Sequence, residues 1–207
     1  KGVFYGSFES LFDQIHGKEI SYNNLLDIDA AVSLIAEFNE PTIAILKHNN
    51  ACGLATRPTL LQAWNDALAG DPVSAFGGVI VSNRMIDPET ANAMNSLFFE
   101  VVIAPGYHNE SLTTLASKKN RIILIQKKFD LPKYQYKSLL SGALVQERDS
   151  SIETEKDMKP ITAKTPSKAE LSDLVFANKI VKHSKSNAIV LAKNQQLVAS
   201  GVGQTSR

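Results

Sequence analysis

The stretch Thr42-Ile-Ala-Ile-Leu-Lys-His-Asn-Asn-Ala-Cys-Gly-Leu-Ala55 decides how the chain is read. Its first five residues, entered after Pro41, are apolar and partly β-branched, the pattern of a short buried strand. The run stops at Lys47 and His48, which suit no dry core, and amides, small residues and a glycine follow. In open α/β sheets, ligands sit where loops leave the carboxyl ends of strands, so a cation and an imidazole placed there can face one pocket. An imidazole titrates near about 6.5, and a neighbouring ammonium favours its neutral form, which accepts a proton at physiological pH. His48 as general base and Lys47 as stabiliser of an oxyanion are the chemical roles on offer. The structural alternatives are a histidine bonding a loop carbonyl and a solvated lysine.

Upstream, residues 22–38 set Leu25, Ile28, Val32 and Ile35 at spacings of three and four, which predicts an amphipathic helix. Downstream, Leu61, Trp64 and Leu68 form a second stripe over 60–68, with Trp64 read as core. Gly70-Asp71-Pro72 breaks that helix, and Val79-Ile80-Val81 is a strand entered through Phe76-Gly77-Gly78. Asp87 caps the next helix, with Pro88 at a first position that needs no N–H. A strand at Val101–Ala104, a short helix over 112–116 and a strand over 121–126 continue the alternation. Alternating strands and helices predict a largely parallel sheet covered on both faces, a three-layer α/β/α domain over residues 1–130.

Residues 131–207 change character. They open with turn residues and charges, a connection holding a hairpin at most, around Gly142-Ala-Leu-Val145. Ser167 and Glu170 then form a capping box for a helix reaching Val181. Residues 187–192 and 197–199 flank Asn194-Gln195-Gln196 as a hairpin, so a second α/β unit begins and is incomplete. The chain starts without Met and ends after Gly-Gln-Thr-Ser-Arg207, and the expectation is a piece of a longer polypeptide.

Composition narrows the function. With 207 residues, 43% of them hydrophobic, the chain can bury a core, and a net charge of +1 offers nucleic acid or a membrane surface no electrostatic reason to bind. The single cysteine, Cys52, rules out an intrachain disulfide framework, suits a reducing cytoplasm and lacks the companions of a zinc site. No span is long and apolar enough to read as a transmembrane segment. The run Asp71-Pro-Val-Ser-Ala-Phe-Gly-Gly78 lets backbone amides approach a phosphate or a planar ring, or is simply a tight turn. Gly201-Val-Gly203 with Arg207 is a similar candidate, because arginine clamps anions bidentately. Glu100 precedes a buried strand either as an ordinary strand-end charge or as an acceptor for ribose hydroxyls.

Four segments in this order, Lys47-His-Asn-Asn-Ala-Cys-Gly53, Asp71-Pro-Val-Ser-Ala-Phe-Gly-Gly78, Ile103-Ala-Pro-Gly-Tyr107 and Ser186-Asn-Ala-Ile-Val190 with Gly203-Gln-Thr-Ser-Arg207, resemble the aminoimidazole carboxamide ribonucleotide (AICAR) transformylase region of the bifunctional purine-biosynthesis family. The resemblance spans nearly the whole chain. It implies transfer of a formyl group from 10-formyltetrahydrofolate, as co-substrate, to the exocyclic amine of AICAR, on the way to IMP. His48 matches the family's base and Lys47 the lysine that stabilises the tetrahedral intermediate, while Gly77, Glu100, Asn187 and Arg207 fall where the family contacts AICAR. It further implies tandem cytidine-deaminase-like units without zinc, the second truncated here, and a cytoplasmic homodimer with active sites at its interface. The Arg-Tyr-Gly motif and the folate- and phosphate-contacting segments of the family lie outside 1–207, so this chain alone is expected to be inactive or nearly so. The competing expectation is a non-catalytic purine-nucleotide-binding module that kept the fold.

Overall fold

The computed structural model describes residues 4–206. The chain runs through β1 (Phe12–His16), α1 (Tyr22–Ile35), β2 (Thr42–Lys47), β3 (Asn50–Thr56), α2 (Leu60–Gly70), β4 (Val79–Ser82), α3 (Pro88–Met94), β5 (Val101–Ala104), α4 (Asn109–Ala116) and β6 (Ile122–Gln126). The hairpin β7 (Tyr134–Leu139) and β8 (Gly142–Glu147), the helix α5 (Lys168–Lys182) and the hairpin β9 (Ile189–Lys193) and β10 (Gln196–Gly201) follow. Four of the five α-helices, all but α4, start where a side chain satisfies a free amide. Asp87 accepts from Thr90 N–H at 2.8 Å, and Ser167 and Glu170 bond each other's amides at 3.3 and 2.8 Å, as their sequence anticipates. Ser21 does the same for α1, with Asn24 as the reciprocal partner.

Among the described residues, eight strands form one sheet in the order β1-β6-β5-β4-β2-β3-β10-β9. Two pairings are parallel, β4 with β5 and β5 with β6, joined by α3 and α4 as crossovers, and the rest are antiparallel. The expected largely parallel sheet is therefore corrected to a mixed one. The reason lies at His48 and Asn49, whose φ angles of 52° and 66° make a two-residue turn between Lys47 and its register partner Asn50. Two left-handed residues match the twist of an antiparallel pair, so the chain returns beside β2 and no helix intervenes. The residues after Asn49, for which the sequence suggested no strand, are the strand β3.

Alternate side chains of the sheet go to opposite faces. Ile43 and Ile45 of β2 join Trp64, Ala67, Met94 and Leu115 from α2, α3 and α4. Ala44 and Leu46 join Ile28 and Val32 of α1 with Phe176 and Ile180 of α5. Two cores on two faces make three layers, and Trp64, 1% exposed, lies in one of them. Each fully buried Ile or Leu contributes roughly 1.5–3 kcal/mol. Residues beyond 165 extend this same sheet, since β10 pairs with β3 at Gln196 and Ala55. Arg57 ties them down, donating to the carbonyl oxygens of Thr56 and Asn194 at 2.7 Å while paired with Asp66. The hairpin expected around Gly142 is present, exposed along both strands and paired only with itself. Among the described residues no helix is long and apolar enough to cross a membrane.

Candidate active site

Lys47 closes β2, and its Nζ donates to the Phe76 carbonyl oxygen at 2.8 Å, fastening the loop that ends at Gly78 to the strand end. Gly77, with φ 76°, occupies the left-handed region that glycine tolerates, and its N–H donates to Phe98 O at 2.8 Å. Glu100 N–H donates to Gly78 O at 3.0 Å, so Lys47, Gly77 and Glu100 share one edge of the sheet. That edge is the carboxyl end of β2, as anticipated for Lys47 and His48, but not of β4 and β5. Because β2 runs antiparallel to β4, its carboxyl end lies beside the amino ends of β4 and β5, with Leu46 opposite Val79 and Val79 opposite Val101.

His48 is exposed at the tip of the β2–β3 turn. Asn50 Nδ2 donates to its carbonyl oxygen at 2.8 Å, and the next amide, Asn49 N–H, donates to Asp27 Oδ1 at 2.7 Å from α1. Burial raises the Asp27 carboxyl above its ordinary value, the Asn49 amide and the His48 charge pull it back, and Glu100 adds to the rise. Glu100 is held below the ordinary carboxylate range, first by its bond to Lys18 Nζ at 3.0 Å, against burial and with help from Asn24 Nδ2 at 3.3 Å.

Two cavities meet at the turn. One of about 420 Å³ is lined by Lys47, His48, Cys52, Asp71, Ser74 and Val198. The other, about 600 Å³, takes His48 and Asn49 on one side and Lys137, Arg148 and Lys185 on others. Asp71 is held below the ordinary carboxylate range by side-chain and backbone bonds from Ser74. Burial pushes the Cys52 thiol up to about 11, which disfavours the thiolate, and its Sγ donates to Ile45 O at 3.4 Å. Among the described residues, no group of three or more His, Cys, Asp or Glu side chains could hold a metal ion.

Asn187 stands apart from both linings. Its Nδ2 donates to Gln204 O at 3.3 Å, and its loop reaches the hairpin through Lys185 N–H, which donates to Asn50 Oδ1 at 3.1 Å. Gly77 and Glu100 are likewise outside the two linings, and Arg207 lies outside the described residues. Sequence reasoning missed Asp27 and Asn24. Their signal was a spacing of three on an amphipathic helix, which puts both on one face.

A tethered ammonium and an exposed imidazole on a two-residue turn thus lie beside an open cavity at the edge of a mixed α/β sheet. The chain belongs to the AICARFT/IMPCHase bienzyme family, whose model matches residues 1–207. It is similar to the bifunctional purine biosynthesis protein PurH of Bacteroides thetaiotaomicron, 64% identical over 207 residues, covering all of this chain and 41% of that protein. The proteins of the same name from Chlorobium chlorochromatii and Chlorobium phaeobacteroides strain BS1 are 48% identical over 205 residues and 50% identical over 204, each covering 97% of this chain and 39% of the relative. The chain thus spans about two fifths of the length of these curated relatives.

Proposed function

We propose that these residues carry formyl transfer from 10-formyltetrahydrofolate to the exocyclic amine of AICAR, in the assembly of IMP. The observation that carries the reading is the placement of Lys47 and His48, side by side in sequence, at a turn whose flanking strands are both hydrogen-bonded into the sheet. The amine is conjugated with the imidazole ring and is a weak nucleophile. As its nitrogen attacks the formyl carbon, His48 takes its proton and a new C–N bond forms. The formyl oxygen becomes an oxyanion next to the Lys47 ammonium, which the Phe76 carbonyl keeps at the strand end. Collapse breaks the bond to the folate nitrogen, which leaves with the proton that His48 took from the amine, and His48 returns to its neutral form. Gly77, Glu100, Asn187 and Arg207 are assigned to holding AICAR.

In this reading residues 1–130 are one cytidine-deaminase-like unit and 131–207 a connection with the start of a second. Helices on both faces of a mixed sheet are compatible with such a unit. The proposed chemistry needs no zinc, and its site is cytoplasmic. A homodimer is supported by the β7–β8 hairpin, which leaves Tyr136, Leu139, Leu140 and Leu144 exposed. The 207-residue chain by itself is proposed to be nearly inactive.

The test replaces the matching region of the Bacteroides relative, 64% identical over 207 residues, with this chain and measures formyl transfer to AICAR. His48→Ala is expected to lower turnover on the order of 100-fold or more with the fold retained. Unchanged turnover removes His48 as the base. An inactive hybrid beside an active relative favours the non-catalytic nucleotide-binding module.

A further inference from the structure

We propose that Asp27 is a positioning residue for the β2–β3 turn, its carboxylate holding the Asn49 amide so that His48 is kept in a left-handed conformation. The inference rests on the reading of His48 as base, and its geometry stands independently. In a two-residue hairpin the first and last residues, Lys47 and Asn50, carry the ladder bonds, and the amide of the second turn residue has no partner within the hairpin. Here that amide donates to Asp27 Oδ1 at 2.7 Å, a short charge-assisted bond from a helix that is itself packed on the sheet.

The turn needs such a brace. Its residues are His and Asn, with no glycine, at φ 52° and 66°. A side chain in that region is strained and persists where the surroundings over-determine it. Two bonds do so. Asn50 Nδ2 fixes the His48 carbonyl from the strand, and Asp27 fixes the Asn49 amide from below. The same helix places Asn24 one turn earlier against Glu100, so α1 contacts both the proposed base turn and a proposed substrate contact. Asp27 touches neither substrate nor reacting atoms in this scheme, and acts through the backbone beside His48.

The test has two arms. In the 207-residue chain, amide hydrogen exchange of Asn49 is followed by 15N-resolved NMR. Asp27→Ala is expected to accelerate it about 10- to 100-fold, the usual worth of a hydrogen bond to a charged group. Asp27→Asn keeps an acceptor oxygen and is expected to stay within roughly threefold of native. In the hybrid enzyme, Asp27→Ala lowers kcat about tenfold or more, with KM for AICAR changed less than about threefold, and Asp27→Asn restores most of kcat. Native-like Asn49 exchange in Asp27→Ala overturns the proposal, as does unaltered kcat in that variant while His48→Ala is inactive. If His48→Ala is itself fully active, the base reading fails, and the exchange arm alone decides whether Asp27 braces the turn.

Discussion

Gly53→Ala measures how tightly α2 is seated on the strand that the turn creates. A Cβ at position 53 would lie 2.2 Å from the Ala67 carbonyl oxygen and 2.9 Å from its carbon, both helix backbone. About 1 Å of separation must open before that contact becomes ordinary van der Waals distance. The backbone of β3 resists it, being hydrogen-bonded to β2 on one side and β10 on the other. The opposing helix face carries Ala63, Trp64 and Ala67, all buried. Overpacking of this kind costs about 3 kcal/mol, and alanine returns roughly 0.5–1 kcal/mol of backbone entropy, leaving a net loss of about 2–2.5 kcal/mol. For a chain of this size each kcal/mol moves Tm by about 2–4 °C, so the midpoint should fall by roughly 4–10 °C. Circular dichroism melts of the native chain, Gly53→Ala and Gly142→Ala make the comparison, since nothing lies within 4 Å of a Cβ at position 142. A Gly53→Ala midpoint within about 2 °C of native, matching Gly142→Ala, refutes the packing argument.

Two further outcomes follow from ionisable groups. With the Cys52 thiol pushed up to about 11 by burial, the native protein at pH 8 holds roughly one thiolate per thousand, so iodoacetamide should label it about 100-fold more slowly than in denaturant. Equal rates in native and denatured protein would contradict that environment. Burial pushes the Glu37 carboxyl up, but bonds from His183 Nε2 at 3.0 Å and Lys182 Nζ at 2.9 Å outweigh it and leave it below its ordinary 4.5. A depressed carboxyl stabilises the fold above pH 4.5 and loses that contribution as pH falls through its folded value. Glu37→Gln should therefore cost about 2 kcal/mol at pH 7 in urea denaturation, with the gap to native closing in acid; a gap constant with pH counts against it.

The helices and most strands were legible because periodicity and caps agree: Asp87 with Pro88, and Ser167 with Glu170, mark starts that the backbone uses. What sequence hid was β3, along with β1, for which no strand was legible. The Ala51-Cys-Gly-Leu-Ala55 core of β3 has little β-branching, and Gly53 reads as a breaker although its role is to admit the α2 backbone. The His48-Asn49 turn lacks the glycine that usually announces a two-residue hairpin, so the strand after it and the antiparallel course of β2 were unreadable. Lys47 and His48 stand out as candidates because charge follows an apolar run without a gap. Asp27 was not, since its contact with Asn49 spans 22 residues and exists only after α1 docks.

The order in which the sheet is spelled along the chain bears on how it is assembled. Strands β2 to β6 pair among themselves with near neighbours in sequence, as do β9 and β10, whereas β1 waits for β6, Phe12 lying opposite Gln126, and Ser200 reaches Ala51 across 149 residues. Long loops close slowly, so contacts of that span belong to the late steps of folding. During synthesis the Lys47 edge can be complete while Val198, a wall of the cavity beside it, has yet to leave the ribosome. The His48-Asn49 turn is thus set early, and the cavity beside it is finished last.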